Sequence, residues 1–267
     1  MPDVREALNL EKIELKGCIK LPKINPSIGL LKKLAFLNLG NCKNLVSLPN
    51  TILGLNSLEY LDVSGCSKLC LVEAHILSQS TSYFFLKMLY SRAQRDSVSY
   101  LFPSFPTLPS SLTCLRELDL SFCNLVRIPD AIRQLSFLEH LNLEGNNFTT
   151  LPNLNNLFRL YHLNLQHCKR FKHFPVLPSQ TDLPSETCKL PLPYLTHEDL
   201  VGLILYNCKE LVEREHCCSM IFSWMIQIFQ VCILFPSSSL FLIIFFTKQL
   251  LTHTSLVLRG EVLRKHM

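Results

Sequence analysis

The stretch "LAFLNLGNCKNLVSLP", residues 34–49, decides the fold. Its apolar residues stand at Leu34, Leu37, Leu39, Leu45 and Leu48, with Cys42 and Pro49 at fixed offsets from them. Across Leu37-Asn38-Leu39 the side chains alternate, so on a short strand both leucines point inward and the residue between them points out. Cys42 lies where the chain leaves that strand, at a place where a small side chain fits inside the turn. Pro49 has no donor for a sheet and fixes its own φ, so it starts the return segment. One such unit cannot bury its apolar edge alone, and the pattern therefore predicts neighbours of the same kind.

Those neighbours are present. Leu10, Ile13, Leu15 and Cys18 form the first copy, Leu34 to Cys42 the second, and Leu58, Leu61, Val63 and Cys66 the third; these copies start 24 residues apart. The ladder resumes with Leu115, Leu118, Leu120 and Cys123. It continues through Leu138, Leu141, Leu143 and Asn146, then Leu160, Leu163, Leu165 and Cys168, and weakens at Leu200, Leu203, Leu205 and Cys208. A period near 24 carrying L-x-x-L-x-L-x-x-C is that of leucine-rich repeats. The fold class expected is α/β: a leucine-rich-repeat solenoid with a curved parallel sheet, an irregular or helical convex side, and an apolar, helical C-terminal tail. The repeats are assigned to 4–215 and the tail, set outside the array, to 216–267. An insert at 70–112 is expected as a partly helical loop-out, and a Pro-rich gap at 175–199 as an extended loop.

Composition agrees once it is divided. The chain has 267 residues, 48% hydrophobic and 18% charged, with a net charge of +5. No Asp, Glu, Lys or Arg occurs from Cys217 to Thr247, so every charge belongs to the remainder. There is no basic block, which leaves nucleic acid without support as a partner. Six of the twelve cysteines fall in the repeat slot (Cys18, Cys42, Cys66, Cys123, Cys168 and Cys208), which favours structural spacing over disulfides or metal. His216-Cys217-Cys218 lacks a second ligand pair, and no metal or other cofactor is assigned. No G-x-S-x-G, H-E-x-x-H or phosphate-loop motif is found, so no catalytic residue and no enzyme activity are assigned.

Function is expected on the outward positions of the sheet, which stack into columns. The centre column runs through Glu14, Asn38, Asp62, Asp119, Asn142, Asn164 and Ile204. One flank holds Lys12, Phe36, Tyr60, Glu117, His140, His162 and Gly202, and the other Lys16, Gly40, Ser64, Ser121, Glu144, Gln166 and Tyr206. Phe36 and Tyr60 are expected as adjacent exposed aromatics, the best anchors for a protein partner.

The copies resemble the repeats of plant intracellular nucleotide-binding leucine-rich-repeat immune receptors. "NLEKIELKGCIKL" (9–21), "LRELDLSFCNLVRIPDAI" (115–132), "LEHLNLEGNNFTTLPNL" (138–154) and "LNLQHCKRFKHFPVLPS" (163–179) resemble most the legume Toll/interleukin-receptor-type class of disease-resistance proteins. "YNCKELVERE" (206–215) and "FSWMIQ" (222–227) are similar to the segment that closes the array in that class. The resemblance implies a repeat-region fragment of an innate-immune receptor, an interaction module with a protein partner: a pathogen effector, a guarded host protein or the receptor's own nucleotide-binding domain. It also implies a cytoplasmic location. The alternatives are a membrane-anchored receptor, with 222–246 as the span, and a truncated resistance-gene product. In the truncated product, sequence beyond Gln230 is foreign to the array.

Overall fold

The computed structural model describes residues 1–69, 112–128, 130–178, 200–211, 221, 223–227, 241–244 and 256–259. Each L-x-L triplet forms a strand: β1 Lys12–Glu14, β2 Phe36–Asn38, β3 Tyr60–Asp62, β4 Glu117–Asp119, β5 His140–Asn142 and β6 His162–Asn164, then a longer β7 at Leu200–Ile204. All seven pair in parallel in chain order. The register equals the column alignment read from the sequence: Ile13, Leu37, Leu61, Leu118, Leu141, Leu163 and Leu203 stand side by side. A one-residue slip would turn every leucine to solvent, so burial itself holds the register.

Behind the sheet the leucines form one continuous core. Leu34, Leu37, Leu39, Leu58, Leu115, Leu141, Leu143, Leu163 and Leu165 are fully buried. Phe148 and Phe171 meet edge to face across two repeats, ring centres 5.8 Å apart. The return segments carry short 3-10 turns at Pro26–Leu30, Asn50–Gly54 and Asp130–Gln134. The first is capped by Asn25, whose side chain accepts from the Ser27 amide at 2.9 Å. Pro26 begins it, where its missing donor is no loss. Ile28, Ile52 and Ile132 drive the same inward face of the three turns into the core.

The tail departs from a uniform helix. Residues 221 and 223–227 are α-helical. However, β8 (Phe241–Ile244) is a strand parallel to β7, and β9 (Leu256–Arg259) pairs antiparallel with β8. An open strand edge at β7 and a run rich in Phe, Leu and Ile suit sheet extension better than an isolated helix. Nor does the whole of 216–267 stand apart, because Ile221, Trp224 and Met225 lie within the buried core of the repeats. Among the described residues no helix is long and apolar enough to cross a membrane. The loop-out expected within 70–112 falls outside the described residues except Leu112, which is buried at the entry to β4. The extended loop expected at 175–199 likewise lies outside them beyond residue 178.

Candidate functional site

The sheet's outward columns are the site, and their members differ in what they do. In the centre column the side-chain oxygens bend back to their own strand's exit. Asn38 Oδ1 accepts from the Gly40 amide (2.9 Å), Asp62 Oδ1 from Ser64 (2.8 Å) and Asp119 Oδ1 from Ser121 (2.8 Å). Asn142 and Asn164 repeat the contact with Glu144 (3.1 Å) and Gln166 (2.9 Å). These are Asx turns, and they satisfy an amide that has just left the sheet. Neighbouring repeats are also tied sideways, by Asn142 Nδ2 to Asp119 Oδ2 (2.9 Å) and Asn164 Nδ2 to Glu144 Oε2 (3.2 Å). The centre column is therefore chiefly a device that holds the turns. Recurrence of Asn or Asp two residues before a small or polar residue was the available signal. Glu14 is the exposed exception on β1, and Ile204 ends the column as a buried apolar residue.

The flank column pairs Lys12, Phe36, Tyr60, Glu117, His140, His162 and Gly202 in register. Phe36 is not the exposed anchor expected, since only 4% of it is accessible. Its ring is stacked on Tyr60 at 4.2 Å on one side and topped by the Lys12 ammonium at 4.3 Å on the other. Side chains one strand apart cover each other's faces, which residue type alone does not reveal. Tyr60 is half-buried, and its hydroxyl is held strongly protonated by burial and by the negative charges of Asp62, Glu117 and Asp119.

Next to it Glu117 is 9% accessible. Burial, together with Glu139, pushes its carboxyl up to about 7. Arg116 Nη1 bonds Glu139 Oε1 at 2.9 Å. Even so, burial keeps the Glu139 carboxyl above its ordinary range, against the pull of Arg116 and Arg159. The Asp119 carboxyl is raised by burial and by Asp62, against the opposing bonds from Ser121 and Asn142. Further along, His140 stacks on His162 (5.1 Å), and its Nε2 lies 2.8 Å from the Tyr161 hydroxyl. Tyr161 sits one position before the flank column and was missed by the column reading.

On the other flank His167, Tyr206, Asn207 and Glu144 converge. His167 and Tyr206 rings meet edge on at 5.4 Å, and Asn207 Nδ2 lies 2.9 Å from His167 Nδ1. Among the described residues no group of three or more His, Cys, Asp or Glu is arranged to hold a metal ion.

The cysteine slot is a ladder of its own. Each buried thiol donates to a carbonyl of the preceding repeat: Cys42 to Leu15, Cys66 to Leu39, Cys123 to Val63 (3.1 Å each), Cys168 to Leu143 (3.2 Å) and Cys208 to Leu165 (3.1 Å). Asn146 makes the equivalent bond to Leu120 at 2.9 Å and accepts from the Leu125 amide as well. Burial pushes the Cys42, Cys168 and Cys208 thiols up, Cys168 to about 12 and Cys208 to about 11, so they remain donors. Cys18 is exposed in the first repeat.

The family model described as Leucine Rich Repeat matches residues 114–135 and 137–157. A disease resistance-like protein DSC1 of Arabidopsis thaliana is 31% identical over 76% of this chain and 19% of its own length. The TMV resistance protein N of Nicotiana glutinosa is 34% identical over 59% of this chain and 15% of its own. Disease resistance protein RPP4 of Arabidopsis thaliana is 32% identical over 66% and 16%. The chain thus spans less than a fifth of the length of these relatives. Among solved structures, the leucine-rich repeat domain of the type III effector XCV3220 (XopL) covers 94% of this chain and 82% of its own, at 16% identity and a TM-score of 0.44.

Proposed function

Because the repeats belong to the leucine-rich repeats of plant disease-resistance proteins of the Toll/interleukin-receptor nucleotide-binding class, we propose that the chain is the recognition module of an innate-immune receptor. It works by binding protein without catalysis, in the cytoplasm. Its partner is a pathogen effector, a guarded host protein or the nucleotide-binding domain of its own receptor. The observation that carries this reading is the flank column. Tyr60, Glu117, His140 and His162 stand side by side in register and, unlike the centre column, are not spent on capping their own strands. Rigid strands hold them at one strand spacing, so a partner meets an ordered row of aromatic, acidic and imidazole groups with little ordering left to do.

The test is co-precipitation of the chain with purified effectors, and separately with the nucleotide-binding domain of a relative. A Tyr60→Ala/His140→Ala/His162→Ala variant is run beside the parent. The variant should lose a partner the parent retains while keeping its far-UV circular dichroism. Equal retention by both would remove the flank column from the recognition face.

A further inference from the structure

We infer that the concave surface over β3 and β4 receives a cationic side chain, Arg or Lys, presented by a protein partner and seated between the Tyr60 ring and the carboxylates of Asp62, Glu117 and Asp119. This rests on the concave flank being the recognition face and adds the chemistry of what is recognised.

Two independent observations support it. The first is an uncompensated set of negative charges. Asp62 and Asp119 stand directly opposite each other on adjacent strands, an arrangement that repels. Glu117 lies two residues from Asp119 and in register with Tyr60. The arginine on β4's entry, Arg116, is turned to Glu139, and Lys12 is engaged on Phe36. The second is Glu117 itself. The residue is 9% accessible, its amide bonds the Glu59 carbonyl at 2.9 Å, and among the described residues no cation is paired with its carboxylate. The Glu117 oxygens are not among the buried unbonded atoms, so they reach solvent, and a cation arriving there neutralises a half-desolvated charge. Asp62 is 5% accessible, and its Oδ1 accepts from the Ser64 amide.

The aromatic half of the seat follows from the stacking. Phe36 has Lys12 on one face and Tyr60 on the other, so the chain already uses one ammonium–ring contact in this column. The Tyr60 face turned from Phe36 looks along the column toward β4, where Glu117 stands. A guanidinium or ammonium there gains a ring face and a carboxylate together. An anionic partner would meet the same charges as repulsion, and an apolar one would bury them unpaired.

The test is calorimetric titration of the full chain with a hexa-arginine peptide, with hexa-glutamate as the opposite-charge control and calcium chloride alone as a third titrant. The variant is Asp62→Asn/Glu117→Gln. Asn38, Asn142 and Asn164 show that Asn holds the same turn, so the variant retains the fold. An exposed-site control is Glu6→Gln/Glu11→Gln. Hexa-arginine should bind the parent, the site variant should bind it about tenfold or more weakly, and the control should bind it within about twofold of the parent. Because Glu117 titrates near pH 7, the parent's affinity should rise from pH 6 to pH 8 and the variant's should change less.

Equal affinities in parent and site variant, or equal losses in site variant and control, overturn the proposal. So does calcium binding that the site variant alone loses while hexa-arginine is unaffected. If flank-column alanines abolish partner co-precipitation but hexa-arginine does not bind, recognition by this face stands and the cationic seat falls. If hexa-arginine binds as expected and no partner depends on the flank, the seat stands and the recognition reading falls.

Discussion

At the scale of single residues, the clearest division is between groups that satisfy the backbone and groups that do not. The five buried slot cysteines, all but Cys18, belong to the first kind. A thiol buried against a carbonyl with its pKa raised is a poor nucleophile, because the thiolate is the reactive form. Cys18 and Cys114 are exposed. Brief alkylation of the native chain, read by peptide mass spectrometry, should modify Cys18 and Cys114 well before Cys42, Cys66, Cys123, Cys168 and Cys208. Comparable early labelling of Cys168 would contradict the ladder.

Glu117 is of the second kind. Its carboxyl titrates at about 7 in the fold against 4.5 when unperturbed. Between those values the folded chain holds the extra proton, so this group makes stability fall as pH rises through that window. Above it the folded chain carries the full penalty, on the order of 3 kcal/mol. Glu117→Gln should therefore raise the thermal midpoint by several degrees at pH 8 and change it little at pH 5. A gain of the same size at both pH values would assign the effect to packing instead.

At the scale of elements, the strands were legible in the sequence because two constraints agree there. L-x-L alternation fixes which residues face inward, and the constant offset to the cysteine slot fixes the register between copies. The turns that follow were less legible. The residue just before the slot adopts a left-handed conformation in every repeat: Gly17, Asn41, Gly65, Phe122, Gly145, His167 and Asn207. Gly and Asn advertise that requirement and His167 does so weakly, but Phe122 hides it, since a bulky aromatic does not favour positive φ. The candidate site was half legible for a similar reason. Column membership follows from alternation alone. Burial of Phe36 and Glu117 depends on the side chains one strand away, which come from 23 or more residues distant in the sequence. The turn requirement can be isolated at Gly17, where φ is +74° and a Cβ would meet nothing within 4 Å. Gly17→Ala should destabilise by about 1 kcal/mol through backbone strain alone. No change in the chemical-denaturation midpoint would mean the turn relaxes at no cost.

At the scale of the whole molecule, a solenoid is coupled only through nearest neighbours, so where a defect lies decides what it unravels. Leu61 sits in β3, between Leu37 and Leu118, and is 1% accessible. Leu61→Ala should cost about 2–5 kcal/mol and loosen repeats on both sides. Trp224 is the chain's sole tryptophan and 2% accessible, packed with Ile221 and Met225 into the same core. It follows β7 in the chain, and its burial carries the leucine core past the last repeat. Trp224→Ala should cost about 3–5 kcal/mol. Its consequence should be one-sided, because Trp224 joins the core beyond the seventh copy and all seven copies precede it. Hydrogen exchange followed by mass spectrometry separates the two cases. In the tryptophan variant, amides of Leu203 and Leu205 should lose protection while those of Leu37 and Leu39 retain it. In the Leu61 variant, loss should reach Leu37, Leu39, Leu118 and Leu120 together. If Trp224→Ala deprotected Leu37 as strongly as Leu203, the array would be a single cooperative unit, and the helix at 223–227 would support all of it instead of closing one end.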